Sequence, residues 1–400
     1  MKLTQPFEDF FSNEKSGGFT LIFCTAVSLI LANSPLQANY LHLWHTGVAG
    51  HSVEYWINDA LMAIFFLLIG LELEREVYIG ELSDIKKAVL PVIGALGGMV
   101  IPAAIYLLFN YGLATQAGAG IPMATDIAFA VGILSILGSR IPPSLKVFLT
   151  ALAVIDDLGA ILIIALFYTH SLDFVSLFAA FAIFGGLVVL NRLKVKNLVP
   201  YLAGGVVMWY FMLHSGVHST ITGVLLAFTI PFDGGVKSSP SSRLLHVLHK
   251  PVAFIILPLF ALANTGIVLG ANWYNSLFHP GSLGIFAGLL IGKPLGIFLF
   301  SFAGVAMGFC ALPGELKWKN ILGVGFLAGI GFTMSIFITM LAYDNPGLVN
   351  NSKLAVLLAS LVAGIIGFFW LRSGLKNGYR ENEEDQNIPD SSSSGVMLEK

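Results

Sequence analysis

VFLTALAVIDDLGAILIIALFY, residues 147–168, is an apolar run with two adjacent carboxylates, Asp156 and Asp157, near its centre. A run of this length crosses a bilayer as one helix. An ionised side chain at mid-span costs roughly 2.5 to 3.5 kcal/mol even on a lenient insertion scale, and such groups persist where they face a cavity, pair, or carry ions. Neighbouring helical residues point about 100° apart, so the two carboxylates cannot face one partner equally. One can face an ion route while the other is held by a buried cation. Hard oxygen ligands suit a small hard cation, and the same oxygens take protons. Two such groups titrate as a coupled pair, and a site that binds either a cation or protons is the minimum device for exchanging them.

The composition places that run in a membrane protein. Of 400 residues, 56% are hydrophobic and 11% charged, with a mean hydropathy of +0.82. A soluble domain is about a quarter charged. The 43 glycines agree with the higher use of Gly in transmembrane helices. A net charge of −2 offers no field for a polyanion, so nucleic acid is not an expected partner. Cys24 and Cys310 stand in apolar surroundings without metal or redox spacing.

The sequence predicts an all-α integral membrane protein with twelve transmembrane helices. The runs lie roughly at 17–33, 57–73, 88–109, 121–138, 147–168, 174–191, 198–213, 214–230, 251–270, 283–310, 321–342 and 354–372. The seventh and eighth nearly fuse, so His214-Ser215-Gly216-Val217-His218 must turn or break. The tenth is long and must tilt or break. Cytoplasmic loops collect Lys and Arg. Here alternate loops hold Lys2 and Lys15; Arg75, Lys86 and Lys87; Arg140 and Lys146; Arg192, Lys194 and Lys196; Lys237, Arg243 and Lys250; Lys317 and Lys319; and the tail's Arg372, Lys376, Arg380 and Lys400. The exceptions are Lys353, in the eleventh loop, and Lys293, inside a span. Both termini are therefore expected in the cytoplasm. Residues 1–16 form the N-terminal segment, 17–372 one transporter domain, and 373–400 a polar, acidic, Ser-rich tail expected to be disordered. Glu8, Asp9 and Glu14 among the first lysines do not make a basic signal region, so the first run reads as a membrane helix.

Two more ionisable residues sit inside spans. Asp126 follows Pro122 and Thr125 in Gly120-Ile121-Pro122-Met123-Ala124-Thr125-Asp126. Thr and Asp compete with helical backbone bonding, and an acid offsets the positive end of a broken helix. The eleventh run has a matching irregularity in Gly323, Gly325, Gly329 and Gly331 before Phe332-Thr333-Met334-Ser335. Interruptions at corresponding places in two halves point to crossed half-helices at a midplane site. The fold expected is an inverted-topology repeat of helices 3–5 and 10–12, with helices 4 and 11 interrupted and crossed. Lys293, in Gly292-Lys293-Pro294, is the one buried cation on offer for the carboxylate pair. It reads either as a participant in proton exchange or as a fixed counter-ion. Glu72, Glu74, Arg75 and Glu76 end the second span, as a solvated helix end or as an acidic funnel mouth that attracts cations. His218 reads as a packing residue or a pH sensor, and Asp59 as a cap of the second span. There is no phosphate-cradling Gly-Lys-Ser/Thr loop, no G-x-S-x-G and no H-E-x-x-H, so neither an ATP-driven pump nor an enzyme is indicated.

Residues 16 to 372 resemble the NhaA-type sodium/proton antiporter family. The resemblance lies in Trp56-Ile57-Asn58-Asp59-Ala60-Leu61-Met62-Ala63, Phe66-Leu67-Leu68-Ile69-Gly70-Leu71-Glu72, Ala124-Thr125-Asp126-Ile127-Ala128-Phe129-Ala130, Ile155-Asp156-Asp157-Leu158-Gly159-Ala160, Ser215-Gly216-Val217-His218, Leu257-Pro258-Leu259-Phe260-Ala261, Gly292-Lys293-Pro294-Leu295-Gly296 and Gly329-Ile330-Gly331-Phe332-Thr333-Met334-Ser335. It implies a secondary transporter of the inner membrane without a cofactor, moving sodium or lithium out and a larger number of protons in, with activity rising at alkaline pH. It implies that Asp157 is the main cation ligand and proton carrier, with Asp156 beside it and Thr125 near the ion. Asp126 and Lys293 would balance the broken helices, and Lys293 would pair with Asp156 when the ion is absent. Glu72 and His218 match positions tied to pH response.

Three departures stand out. Leu245 replaces a Glu linked to pH sensing, and Glu74 replaces a common Lys. The first outer loop, about 34 to 56, reads as too short for the β-hairpin that joins two copies in some members, which leaves a homodimer open. The main alternative is a sodium-coupled symporter of an organic solute, which would need a midplane pocket for an organic group; a channel would show flux uncoupled from protons, and a membrane-embedded enzyme would need a water-activating constellation.

Overall fold

The computed structural model describes residues 5–138, 141–169, 172–235, 239–270 and 272–386. Lys2, Arg140, Lys237, Lys400 and the tail beyond residue 386 lie outside the described residues.

Backbone in hydrocarbon must bond within its own segment, and the apolar runs are accordingly helical. Helix α1 (Gln5–Ala32) is followed by α2 (Gln37–His45), which doubles back at 116°. Strands β1 (Gly47–Val48) and β2 (His51–Ser52) pair antiparallel, Val48 opposite His51. This corrects the reading of the first outer loop as too short for a hairpin. Ala49 and Gly50, both at positive φ, close a turn that needs only two residues per strand.

Helix α3 (Val53–Trp56) runs through a π turn into α4 (Met62–Tyr78), followed by α5 (Ile85–Asn110). An eight-residue 3₁₀ helix, Gln116–Met123, leads through a break to α6 (Ile127–Ile136). Then come α7 (Pro143–Phe167), α8 (Phe174–Arg192), α9 (Leu198–His214) and α10 (Ile221–Ala227). Helix α11 (Pro240–Pro251) passes through a second π turn to α12 (Leu257–Asn264), and α13 (Pro280–Ala287) through a third to α14 (Lys293–Ala306). Helices α15 (Trp318–Ala328) and α16 (Phe332–Ala342) meet at a 49° bend, and α17 (Pro346–Gln386) closes the described chain.

Among the described residues, eight helical stretches are long and apolar enough to cross a membrane, the interrupted Gln116–Ile136 among them, or ten if each bent pair is one span. The two other expected spans are short. Helix α9 has 17 residues and α10 only 7. The eighth run is short because residues 215–220 form the turn out of α9, with Gly216 at φ 82°, the left-handed geometry Gly adopts freely.

Several ionisable residues lie elsewhere than expected. Glu72, Glu74 and Glu76 are buried rather than a solvated helix end. Lys353 is buried within α17 rather than placed in a loop. Asp59 lies inside the π turn Ile57–Leu61 and accepts a hydrogen bond from Ser219, while Ser52 caps α3 by accepting from the Tyr55 amide. The site is positioned chiefly by the crossing of α5 and α14. A Cβ added at Gly97 or Gly296 would strike the carbonyl of the other, so the two backbones touch there, as small residues permit in membrane interfaces.

Candidate ion-binding site

Asp156 and Asp157 lie midway along α7, both fully buried. Their divergence on the helix gives them different surroundings. The Lys293 ammonium lies 2.7 Å from Asp156 Oδ2 with both side chains fully buried. It also donates to the Met123 carbonyl, at the end of the 3₁₀ helix. The Thr125 hydroxyl lies 2.7 Å from the same Asp156 oxygen and 2.9 Å from the Ala328 carbonyl; its single proton serves one of them at a time. Asp156 Oδ1 and both oxygens of Asp157 have no hydrogen-bond partner among the described residues.

Asp126 occupies the meeting point of the two breaks. Its Oδ1 accepts from the Phe129 amide at 2.9 Å, capping α6. Its Oδ2 accepts from the Thr333 amide at 3.0 Å and the Thr333 hydroxyl at 2.5 Å, in the first turn of α16. One carboxylate thus faces two positive helix ends. The Asp126 amide donates to the Ile330 carbonyl at 2.7 Å, and the Ser335 hydroxyl to the Ile121 carbonyl at 2.6 Å. The breaks before α6 and between α15 and α16 are therefore stitched to each other, with a carboxylate at the positive ends and an ammonium at a carbonyl end.

A cavity leads to this cluster. Asp157, Asp126 and Thr333 line it with Glu72 and His249, between apolar walls that include Phe65 and Leu257. It offers about 30 Å³ to the centre of a water molecule, where one water needs roughly 10–15 Å³. Glu72 Oε1 lies 3.8 Å from His249 Nδ1. The structure therefore brings together Asp156, Asp157, Thr125, Asp126 and Lys293, with Glu72 along the approach. His218 lies in the turn between α9 and α10 and is not among the lining residues.

Sequence reasoning missed His249, Ser335 and the Met123 carbonyl. Ser335 ends a motif already conspicuous for its glycines. Nothing local marks the other two, because their roles arise from contacts between helices distant in sequence. No group of three or more His, Cys, Asp or Glu arranged to hold a metal ion occurs among the described residues. The donor set is instead carboxylates with neutral oxygens, which suits a small hard cation.

Residues 8–371 match the family model described as Na+/H+ antiporter 1. The chain belongs to that family. A relative within it, the Na(+)/H(+) antiporter NhaA of Flavobacterium psychrophilum, is 64% identical over 383 residues, covering 96% of this chain and 100% of its own. The Na(+)/H(+) antiporter NhaA of Cytophaga hutchinsonii is 59% identical, with 94% and 97% covered. Among solved structures, the sodium proton antiporter MjNhaP1 from Methanocaldococcus jannaschii at pH 8 matches with a TM-score of 0.53 over 89% of this chain and 90% of that one. At 15% identity this is a likeness of fold alone. Membership of the Na+/H+ antiporter family makes the chain a multi-pass membrane transporter rather than a catalytic enzyme.

Proposed function

We propose that the chain is an electrogenic antiporter that exports sodium, or lithium, in exchange for protons. It resides in the inner membrane as twelve crossings with both termini cytoplasmic, built from inverted repeats of helices 3–5 and 10–12. The observation that carries the reading is the unequal pair: Asp156 is paired with Lys293, whereas Asp157 is buried, open to the cavity and without a hydrogen-bond partner among the described residues. A buried carboxylate without a counter-charge takes up a proton or a cation. With the cavity facing the cytoplasm, sodium enters past Glu72 and binds Asp157 and Asp156, with Thr125 close by. Binding frees Lys293 from Asp156 and leaves it on the Met123 carbonyl. After the site turns outward, protons replace sodium and the Lys293–Asp156 pair re-forms. More than one proton returns per sodium ion, so each cycle moves net charge. Glu72 and His218 adjust activity to pH.

Room for about two or three waters supports a bare cation and disfavours the symport of an organic solute, whose pocket would span hundreds of cubic ångströms. The test is a dye-reported proton gradient in everted membrane vesicles, challenged with sodium, lithium and potassium at several pH values. Sodium or lithium should collapse the gradient with the native protein and not with Asp157→Asn. A folded native protein that leaves the gradient intact with every cation at every pH would overturn the reading.

A further inference from the structure

The 3₁₀ helix Gln116–Met123 has eight residues, whereas 3₁₀ runs longer than three or four are uncommon and mid-span ones mark hinges. Side chains from four other helices or their last residues hold it at both ends. At the end far from the carboxylates, the Tyr106 and Tyr343 hydroxyls lie 2.6 Å apart and lie 2.8 and 2.9 Å from the Thr115 carbonyl. The Tyr168 hydroxyl donates to the Ala117 carbonyl at 2.7 Å. The three rings are buried and come from α5, the residue ending α16 and the residue ending α7. Gly118 and Gly120 make room for the hydroxyls: a Cβ at Gly118 would strike those of Tyr106 and Tyr343, and one at Gly120 would lie 2.8 Å from that of Tyr168. At the inner end the Ile121 and Met123 carbonyls take Ser335 and Lys293. Thr125, with its contact to Asp156, follows two residues later.

We propose that Tyr106, Tyr168 and Tyr343 clasp this segment in its extended 3₁₀ form and thereby position Thr125 and the Met123 carbonyl at the carboxylate pair, so that three tyrosines remote from the ion set the affinity for sodium. The geometry gives the leverage. A 3₁₀ helix rises about 2.0 Å per residue and an α-helix 1.5 Å, so conversion of eight residues shortens the segment by about 4 Å. That exceeds the length of a hydrogen bond and withdraws Thr125 from Asp156. The tyrosines are positioning residues, acting through the half-span they hold. The proposal rests on the exchange site described above.

The experiment compares Tyr343→Phe and Tyr168→Phe with the native protein in everted vesicles, reading apparent KM and maximal rate for sodium and for lithium. Hydrogen exchange of the peptide covering residues 116–126 is followed in detergent. Each variant keeps its ring and loses one hydroxyl, a net loss of about one hydrogen bond, worth roughly five-fold in the equilibrium between held and released forms and so up to five-fold in apparent affinity. The expected result is an apparent KM raised by up to about five-fold for both cations, a maximal rate within two-fold of native, and faster exchange confined to 116–126. A packing role alone would lower thermal stability and leave KM unchanged. If Tyr343→Phe does not fold, Tyr168→Phe carries the same test at the Ala117 carbonyl. Native KM and native exchange in a folded variant, while Asp157→Asn is inactive, would overturn the clasp alone; exchange of sodium for protons by Asp157→Asn would overturn the site beneath it.

Discussion

Removing the Lys293 ammonium should make the protein's stability depend on acid. In the native structure the pair Lys293–Asp156 is fully buried at 2.7 Å. Breaking a buried pair by deleting one partner costs about 3–5 kcal/mol, because the other charge is left without compensation. In Lys293→Ala, Asp156 escapes part of that cost by taking up a proton. Protonating a carboxyl group with the ordinary value of 3.8 costs about 1.36 kcal/mol for each pH unit above it, or roughly 4.4 kcal/mol at pH 7 and 1.6 kcal/mol at pH 5. The sign follows from linkage. The folded variant carries a proton that the unfolded chain has lost, so its stability falls as pH rises above the ordinary value. Relative to native protein, Lys293→Ala should therefore lose about 1.3–2.5 kcal/mol between pH 5 and pH 7, the loss levelling off where protonation costs as much as the uncompensated charge. Adding Asp156→Asn should flatten that dependence, since the amide has no charge to neutralise. Thermal unfolding in detergent of native, single and double variants at pH 5, 6 and 7 measures this. A deficit of Lys293→Ala that is the same at every pH would refute the reasoning, because Asp156 would then not be the group left uncompensated.

Three other outcomes follow from the same geometry. If protons and sodium compete for Asp157, the apparent KM for sodium should rise by up to ten-fold per unit of acidification where one proton competes, and by up to a hundred-fold where two do; a KM independent of pH would contradict a shared site. Asp126→Asn keeps one acceptor at the breaks but sets an amide donor against either the Phe129 or the Thr333 amide, so it should cost on the order of 2–4 kcal/mol in unfolding free energy. Gly296→Val has no space where α14 crosses α5 and should abolish folded protein in a fluorescence-detected gel-filtration assay, while Gly185→Ala, with nothing near its Cβ, should be neutral.

What the sequence determined by itself was local. Span-length apolar runs dictated helices because lipid leaves a backbone no other way to bond. The breaks beside Asp126 and at Gly329–Gly331 were legible because Pro, Thr, Asp and Gly disturb helical bonding wherever they stand. The carboxylates of α7 announced a site because charge in hydrocarbon is costly. The tertiary structure decided the partners. Two adjacent aspartates on one helix are equivalent until a neighbour arrives, and it is the packing of α14 and α7 on α5 that brings Lys293 to Asp156, while Asp157 lines the cavity. The same holds for Glu74, buried against Ser241 at 2.8 Å, and for Lys353 and the tyrosine clasp. Periodicity did not announce these contacts because lipid and protein interior are equally apolar. A membrane helix shows little contrast between its lipid-facing and protein-facing sides, so which face meets which neighbour is fixed only when the helices pack.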